Sequence, residues 1–147
     1  MEKAMEINIP CEEHEAAMDT LGGFVMPEPF RPAIQTIEDL LLMTCYRPGF
    51  VVIVPEKRFA TSLARHEKVA VDKWRVSGVA EARREIVRMY FSLSRPAEFD
   101  DDWRLIIQSP LREIAGLKKK LTVVGNVDRL EIWDEEARLA EEIDYDS

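Results

Sequence analysis

Hydrophobic residues along the chain form short runs typical of strands, and between them lie amphipathic stretches typical of helices. The order strand, short helix, hairpin, helix occurs first from an apolar run at 24–26 and again from a run at 105–107. The second short helix is expected to be capped by Ser109 and to stop at Gly116. The first hairpin, 41–56, and the second, 120–135, each contain two β-rich runs separated by turn residues. The pattern therefore predicts two similar units within one chain.

The best-matching part of this repeat lies at the start of each unit. DTLGGFVMPEPFR (19–31) aligns with DDDWRLIIQSPLR (100–112), and in both segments an Asp precedes an apolar run, a Pro, an apolar residue and an Arg. Four strands are too few to close a core alone, so we expect the two units to face each other. We therefore predict a single domain, residues 1–147. It comprises a first repeat at 7–65, a helical linker at 66–92 and a second repeat at 93–147.

Composition restricts the class of protein. The chain has 147 residues, of which 46% are hydrophobic and 33% charged, a composition typical of a globular domain. Its net charge of −8 is unusual for a nucleic-acid binder. No segment reaches the ~20 apolar residues of a membrane helix, and the N-terminus lacks a signal-peptide core. We therefore expect an intracellular protein without a membrane partner, with Cys11 and Cys45 as free thiols.

The acidic run Asp100-Asp101-Asp102 is the main candidate for metal binding. Consecutive acids at the start of a strand do not converge on one point, and no calcium-loop pattern follows them, so a solvated turn is the favoured interpretation. The pair Cys11 and His14 provides only half of a zinc site. With two His residues and no nucleophile motif, the sequence predicts no enzyme, no metal, no cofactor and no small-molecule ligand.

Asp100 and Arg104 suggest another role for the acidic run. An Asp that opens a tight turn can accept N–H bonds from the turn and pair with an Arg four residues later. Held in this way, the Arg could present its remaining donors to a phosphate or a guanine. Arg31 and Arg112, which follow the Pro in each copy, are expected mainly to tie helix to hairpin, with a DNA contact as the alternative.

Two segments, SPLREIAGLKKKLTVVGNVDRLEIWDEEA (109–137) and EARREIVRMYFS (81–92), closely resemble the MraZ family. The family's pattern is an Asp-x-x-Gly-Arg turn, an apolar strand, a Pro and a LRE-AGL helix, present in two copies. The resemblance extends over residues 18–140 and is stronger in the second copy.

The resemblance implies an α+β, mainly β fold in which tandem AbrB-like units form a double-split β-barrel pseudo-dimer. It implies a cytoplasmic, nucleoid-associated transcriptional regulator of division and cell-wall genes. Such a protein would assemble into a homo-oligomeric ring and bind short direct repeats in upstream DNA. On this basis the candidate DNA-binding residues are Arg104, Asp100, Asp19, Arg112 and Arg31.

The sequence departs from the family motif once in each copy. The first copy retains Gly22 but has Gly23 in place of the Arg, and the second retains Arg104 but has Trp103 in place of the Gly. Because a Trp at a position with positive φ is strained, we expect the second turn to have changed shape. Trp103 is assigned either to interface packing or to packing within its own turn. We also expect an Arg introduced at position 23 to tighten DNA binding. The alternative hypothesis is an oligomeric MraZ-like protein that has lost DNA binding and acts through protein contacts.

Overall fold

The computed structural model describes residues 8–45, 48–58 and 94–146, with the backbone alone for 142–146. Most of these residues belong to strands or to the loops that join them. The strands are β1 (Glu13–Ala17), β2 (Gly23–Val25), β3 (Leu41–Thr44), β4 (Phe50–Pro55), β5 (Arg95–Pro96), β6 (Arg104–Ile106), β7 (Lys120–Asn126) and β8 (Arg129–Asp134). The α-helices are α1 (Arg31–Gln35), α2 (Ser109–Ala115) and α3 (Glu135–Asp146), and a 3-10 turn, Glu28–Phe30, leads into α1.

Most ladders join strands of the two predicted units, whereas the hairpins β3–β4 and β7–β8 each lie within one unit. One sheet has the order β1-β7-β8-β4-β3-β5, and a second sheet consists of β2 and β6. The order of the large sheet reads as a mirror pattern, because β1 corresponds to β5, β7 to β3 and β8 to β4 in the repeat. Its centre is the antiparallel pair β4–β8, in which Val51 lies opposite Ile132. This intertwined arrangement supports the predicted repeat.

The main core lies between the two sheets and the short helices. The central strand β4 is buried along its whole length, as expected for an apolar run with neighbours on both sides. The fully buried large side chains are contributed by both units: Phe24, Phe30, Met26, Met43, Ile53, Leu105, Ile107, Leu111, Leu121, Leu130 and Ile132. Because each unit provides about half of this set, neither unit buries its apolar surface alone.

The helix α2 ends as the sequence predicts and begins one residue differently. Gly116 takes the left-handed conformation, with φ +72°, and its N–H bonds back to the last turn of the helix. The prediction that Ser109 caps the N-terminus is wrong. Gln108 occupies the capping position, and its side chain makes no capping hydrogen bond. The Ser109 hydroxyl lies instead 3.2 Å from Oε1 of Glu113.

The mainly β, α+β fold is confirmed, whereas the closed barrel is not confirmed. In the described part of the chain, the strand ladders form two open sheets. The predicted linker at 66–92 and its helix lie outside the described residues. The domain boundaries therefore stay predictions.

Candidate nucleic-acid interface

The two strands that follow the Asp-containing turns form an antiparallel ribbon, β2–β6. Gly23 lies opposite Ile106, Phe24 opposite Leu105, and Val25 opposite Arg104. Alternate residues of a strand face opposite sides, and here the central pair faces the core with 1% exposure at each side chain. The other four residues form the outer face of the ribbon.

Both turns leading into the ribbon have the same hydrogen-bonding pattern. In the first, Oδ1 of Asp19 accepts the N–H groups of Leu21 and Gly23, each at 2.9 Å. In the second, Oδ1 of Asp100 accepts the N–H groups of Asp102 and Arg104, also at 2.9 Å. Each Asp therefore fixes its turn through one carboxylate oxygen and leaves the other oxygen for a further partner.

The expectation that Trp103 changes the shape of its turn is wrong. Trp103 has φ +62° and Gly22, its counterpart, has φ +85°, so both residues are in the left-handed region. This conformation costs a non-glycine residue roughly 1–2 kcal/mol. Contacts of the indole offset the cost, because its ring lies 5.5 Å from that of Phe99, and the guanidinium of Arg31 lies 5.9 Å from its centroid. Of the two roles considered for Trp103, packing within its own turn is the one seen.

The predicted ion pair between Asp100 and Arg104 is also wrong. Arg104 pairs with Asp19 of the other unit, whose Oδ2 lies 3.0 Å from Nε and 2.7 Å from Nη2. The Asp100 carboxylate accepts the backbone N–H of Arg104, and the Asp100 N–H donates to the Arg104 carbonyl oxygen at 3.1 Å. The Arg104 side chain is 28% exposed, so its guanidinium is held in place while part of it still faces solvent.

Gly23 is what gives Arg104 its path to Asp19. A Cβ added at Gly23 would overlap Nη2 of Arg104 and would lie 2.5 Å from Cζ and 2.6 Å from Nε. The guanidinium thus covers the residue that stands in place of the family's first arginine. An arginine at position 23 would displace Arg104 from Asp19, so the expected gain in DNA binding from that substitution does not follow from this geometry.

We predict that Gly23→Ala disrupts this ion pair while leaving the fold intact. The methyl group must push aside the end of a flexible side chain, and a solvent-exposed ion pair of this type contributes little to stability. The NMR signals of the Arg104 guanidinium should shift markedly, and the melting temperature should change little. An unshifted guanidinium signal would show that the Arg104 side chain lies elsewhere.

The pair also affects the ionisation of Asp19. The hydrogen bond from Arg104, followed by that from the Gly23 N–H, holds the pKa of the Asp19 carboxyl below its usual 3.8. A depressed carboxyl pKa means that this group stabilises the fold above pH 3.8, and that its contribution is lost as the pH falls through the lower, folded value.

We therefore predict that Arg104→Ala raises the pKa of Asp19 towards 3.8. Removing the guanidinium removes the largest cause of the shift. A carbon-detected NMR titration of the Asp19 carboxyl in wild type and variant measures the change. Equal midpoints in the two proteins would contradict the pairing.

Arg31 and Arg112 lie on the turns of the opposite unit. Nε of Arg31 donates to the carbonyl oxygen of Met26 at 3.0 Å while its guanidinium lies over Trp103. Arg112 packs against Gly22, where an added Cβ would lie 2.6 Å from its Nε. Both contacts are structural, but they join the helix to the turn of the other unit and not to the hairpin as predicted. A DNA contact by either residue stays a prediction.

The outer surface near Arg104 has a chemistry that the sequence patterns did not identify. Leu21, Val25 and Ile106 are 68%, 48% and 45% exposed. Asp101 and Asp102 are exposed in the second turn. The ribbon therefore presents one arginine among aliphatic side chains, with carboxylates at one end.

Two further features concern the described ranges, namely metal sites and membrane-spanning helices. No group of three or more His, Cys, Asp or Glu residues is placed there to hold a metal ion. None of the helices described is both long and apolar enough to cross a membrane.

Comparisons with known proteins identify the family. Residues 91–137 match the family model described as "MraZ protein, putative antitoxin-like". The chain is 30% identical over 130 residues to the transcriptional regulator MraZ of Thermus thermophilus, covering 87% of this chain and 83% of the relative. It is 34% identical over 122 residues to the MraZ regulator of Shewanella piezotolerans, covering 82% and 76%. The intertwined strand order, the two similar turns and these relatives agree, and the chain belongs to the MraZ family.

Proposed function

We propose that the protein is a transcriptional regulator that binds DNA with the outer face of the β2–β6 ribbon. The observation that carries this proposal is the pair of equivalent turns that fixes Arg104 on that face. Like its relatives, which are named as transcriptional regulators, it would control gene expression. The proposal places it in the cytoplasm, associated with the nucleoid, with division and cell-wall genes as targets.

The β2–β6 ribbon has two strands, an element that the major groove of DNA can accommodate. That groove admits a two-stranded β-ribbon, and a guanine there presents two acceptors that match the fork of an arginine. In Arg104, Nε and Nη2 face Asp19, which leaves the Nη1 end of the guanidinium for a base or a phosphate. Asp19 is a positioning residue in this scheme, because it orients the guanidinium without contacting DNA.

The single arginine on the described ribbon gives little affinity by itself, so the proposal includes assembly. Several subunits that engage successive direct repeats would gain affinity through avidity. We propose a closed homo-oligomeric ring, in which head-to-tail contacts satisfy every interface. Light scattering across a concentration series tests this part, and a mass fixed near the 17.0 kDa of one chain at micromolar concentration would contradict it.

Specific observations favour a second candidate function, binding to another protein. Asp101 and Asp102 would face phosphates in the DNA complex, and position 23 lacks the family's arginine. Because like charges repel, these two carboxylates oppose DNA binding, as does the net charge of −8. In this alternative, the protein retains the assembly and uses the ribbon for a protein contact.

Fluorescence anisotropy with DNA from upstream of the protein's own gene separates the two functions. The regulator should bind this fragment more tightly than a scrambled fragment of equal length, and the affinity should fall as salt rises. The double variant Asp101→Asn/Asp102→Asn should bind more tightly, since it removes two negative charges from the interface. Equal, weak binding to both fragments by wild type and this variant would favour the protein-contact function.

A further inference from the structure

Two exposed aliphatic side chains are the neighbours of Arg104 on the outer face of the ribbon, one across the ladder and one two residues further along β6. Val25 lies directly opposite Arg104, and Ile106 lies directly opposite Gly23, over which the guanidinium passes. They are 48% and 45% exposed, so both aliphatic side chains face solvent next to the guanidinium. Packing in the core accounts for the apolar side chains of Phe24 and Leu105, which face inward, but not for those of Val25 and Ile106.

We propose that Val25 and Ile106 contact the 5-methyl groups of thymines that flank the guanine bound by Arg104. This inference rests on the proposed function, and it adds a preference for thymine beside that guanine. The ribbon would then recognise a short sequence, with one polar contact between two apolar ones.

The chemistry of the major groove limits what an aliphatic side chain can recognise there. The thymine methyl is the apolar group at the base edges, whereas the other edges present hydrogen-bond donors and acceptors. An aliphatic side chain pressed against a donor or acceptor would leave that polar group without water or a partner, which is unfavourable. Val25 and Ile106 therefore favour thymine over the other three bases.

The spacing on the ribbon matches that of neighbouring base pairs. Side chains directly opposite each other on paired strands have Cβ atoms about 4.5–5.5 Å apart. Successive bases along one DNA strand are about 3.4 Å apart. Val25 has this cross-strand spacing from Arg104, and Ile106 lies two residues along the same strand, about 6.6 Å away. Both side chains thus lie within about two base steps of the Arg104 contact.

The experiment uses the anisotropy assay and an upstream fragment that the wild-type protein binds. A second fragment has every thymine replaced by deoxyuridine, which pairs identically and lacks the 5-methyl group. Wild type should bind the deoxyuridine fragment about threefold to fivefold more weakly for each thymine methyl group that the ribbon would otherwise touch. Val25→Ala and Ile106→Ala should bind the normal fragment more weakly and should show a smaller difference between the two fragments.

A matched control is provided by Ile114→Ala, which truncates an isoleucine of α2 that is 43% exposed and lies outside the ribbon. This control should keep the wild-type ratio of affinities for the two fragments. Equal affinity of wild type for both fragments would overturn the thymine inference and leave the proposed function intact. Equal losses on both fragments in Val25→Ala and Ile106→Ala would likewise overturn it. Failure of wild type to bind any upstream fragment would instead refute the proposed function.

Discussion

Replacement of Arg104 by alanine is expected to weaken binding to upstream DNA more than any other single substitution on the ribbon. If the guanidinium contacts a guanine, the loss should be about 1–3 kcal/mol per engaged subunit, or roughly 5- to 150-fold in Kd. The reason is that Arg104 carries the positive charge of the ribbon face, and its ion pair with Asp19 fixes the orientation of the guanidinium. Anisotropy titrations at several salt concentrations measure the effect.

The matched control for this prediction is Arg138→Ala. Arg138 is 25% exposed and pairs with Glu13 at 2.6 Å, so its removal deletes a similar ion pair and the same charge. It packs over the ring of Trp133, away from the ribbon. Arg138→Ala should bind DNA nearly as wild type does. Equal losses in the two variants would mean that total charge, and not the position of Arg104, determines binding.

Arg104→Lys separates binding to a base from binding to a phosphate. Lysine keeps the charge but lacks the planar fork that matches a guanine, so the affinity should fall sharply if a base is bound and only slightly if a phosphate is bound. If only a phosphate is bound, Arg104→Ala should weaken binding to all sequences alike and lower the salt slope by about one per subunit.

The largest loss of stability is expected from Gly125→Ala. Gly125 lies in β7 beneath the N-terminal segment, and its N–H donates to the carbonyl oxygen of Glu12 at 2.9 Å. An added Cβ would overlap the carbonyl oxygen of Pro10 and would lie 2.6 Å from Cε1 of Phe30. Because a backbone atom and a fully buried ring must both move, the free energy of unfolding should fall by about 3 kcal/mol. Urea denaturation measures the loss.

Gly116→Ala is the control for Gly125→Ala. Gly116 has φ +72°, and nothing lies within 4 Å of an added Cβ. This substitution should therefore cost only the strain of the left-handed conformation, about 1–2 kcal/mol. If Gly125→Ala were no more destabilising than Gly116→Ala, the close approach of Pro10 to β7 would be contradicted.

Local patterns in the sequence predicted the elements of the fold. The apolar runs became β2, β6 and the two hairpins, and the glycine after the second short helix ended it as expected. These features depend on the backbone preferences and burial of residues that are close in sequence. The cap of α2 was predicted at Ser109 because Ser often caps helices, but Pro110 fits the first turn with Gln108 as the cap.

The candidate site was predicted only in part, since its contacts join residues from both units. The spacing of Asp100 and Arg104 suggested a local pair, but the partner of Arg104 is Asp19, at a separation of 85 residues. Similarly, the positive φ of Trp103 was readable from its position and one stabilising ring, that of Phe99, is local, whereas the guanidinium over the indole comes from Arg31, far away in the sequence. The partner of Arg104 and the Arg31 contact of Trp103 were therefore missed because they depend on tertiary structure.

The intertwined strand order has a consequence for how the chain folds during synthesis. In the described ladders, β1 pairs with β7 and β2 with β6, so two strands of the first half find their partners only in the second half. While the ribosome is still making the second half, β1 and β2 have exposed edges and an unburied apolar side. Two nascent chains held close together on one messenger could exchange these strands. Rapid translation of the second half would protect the protein against such swapping.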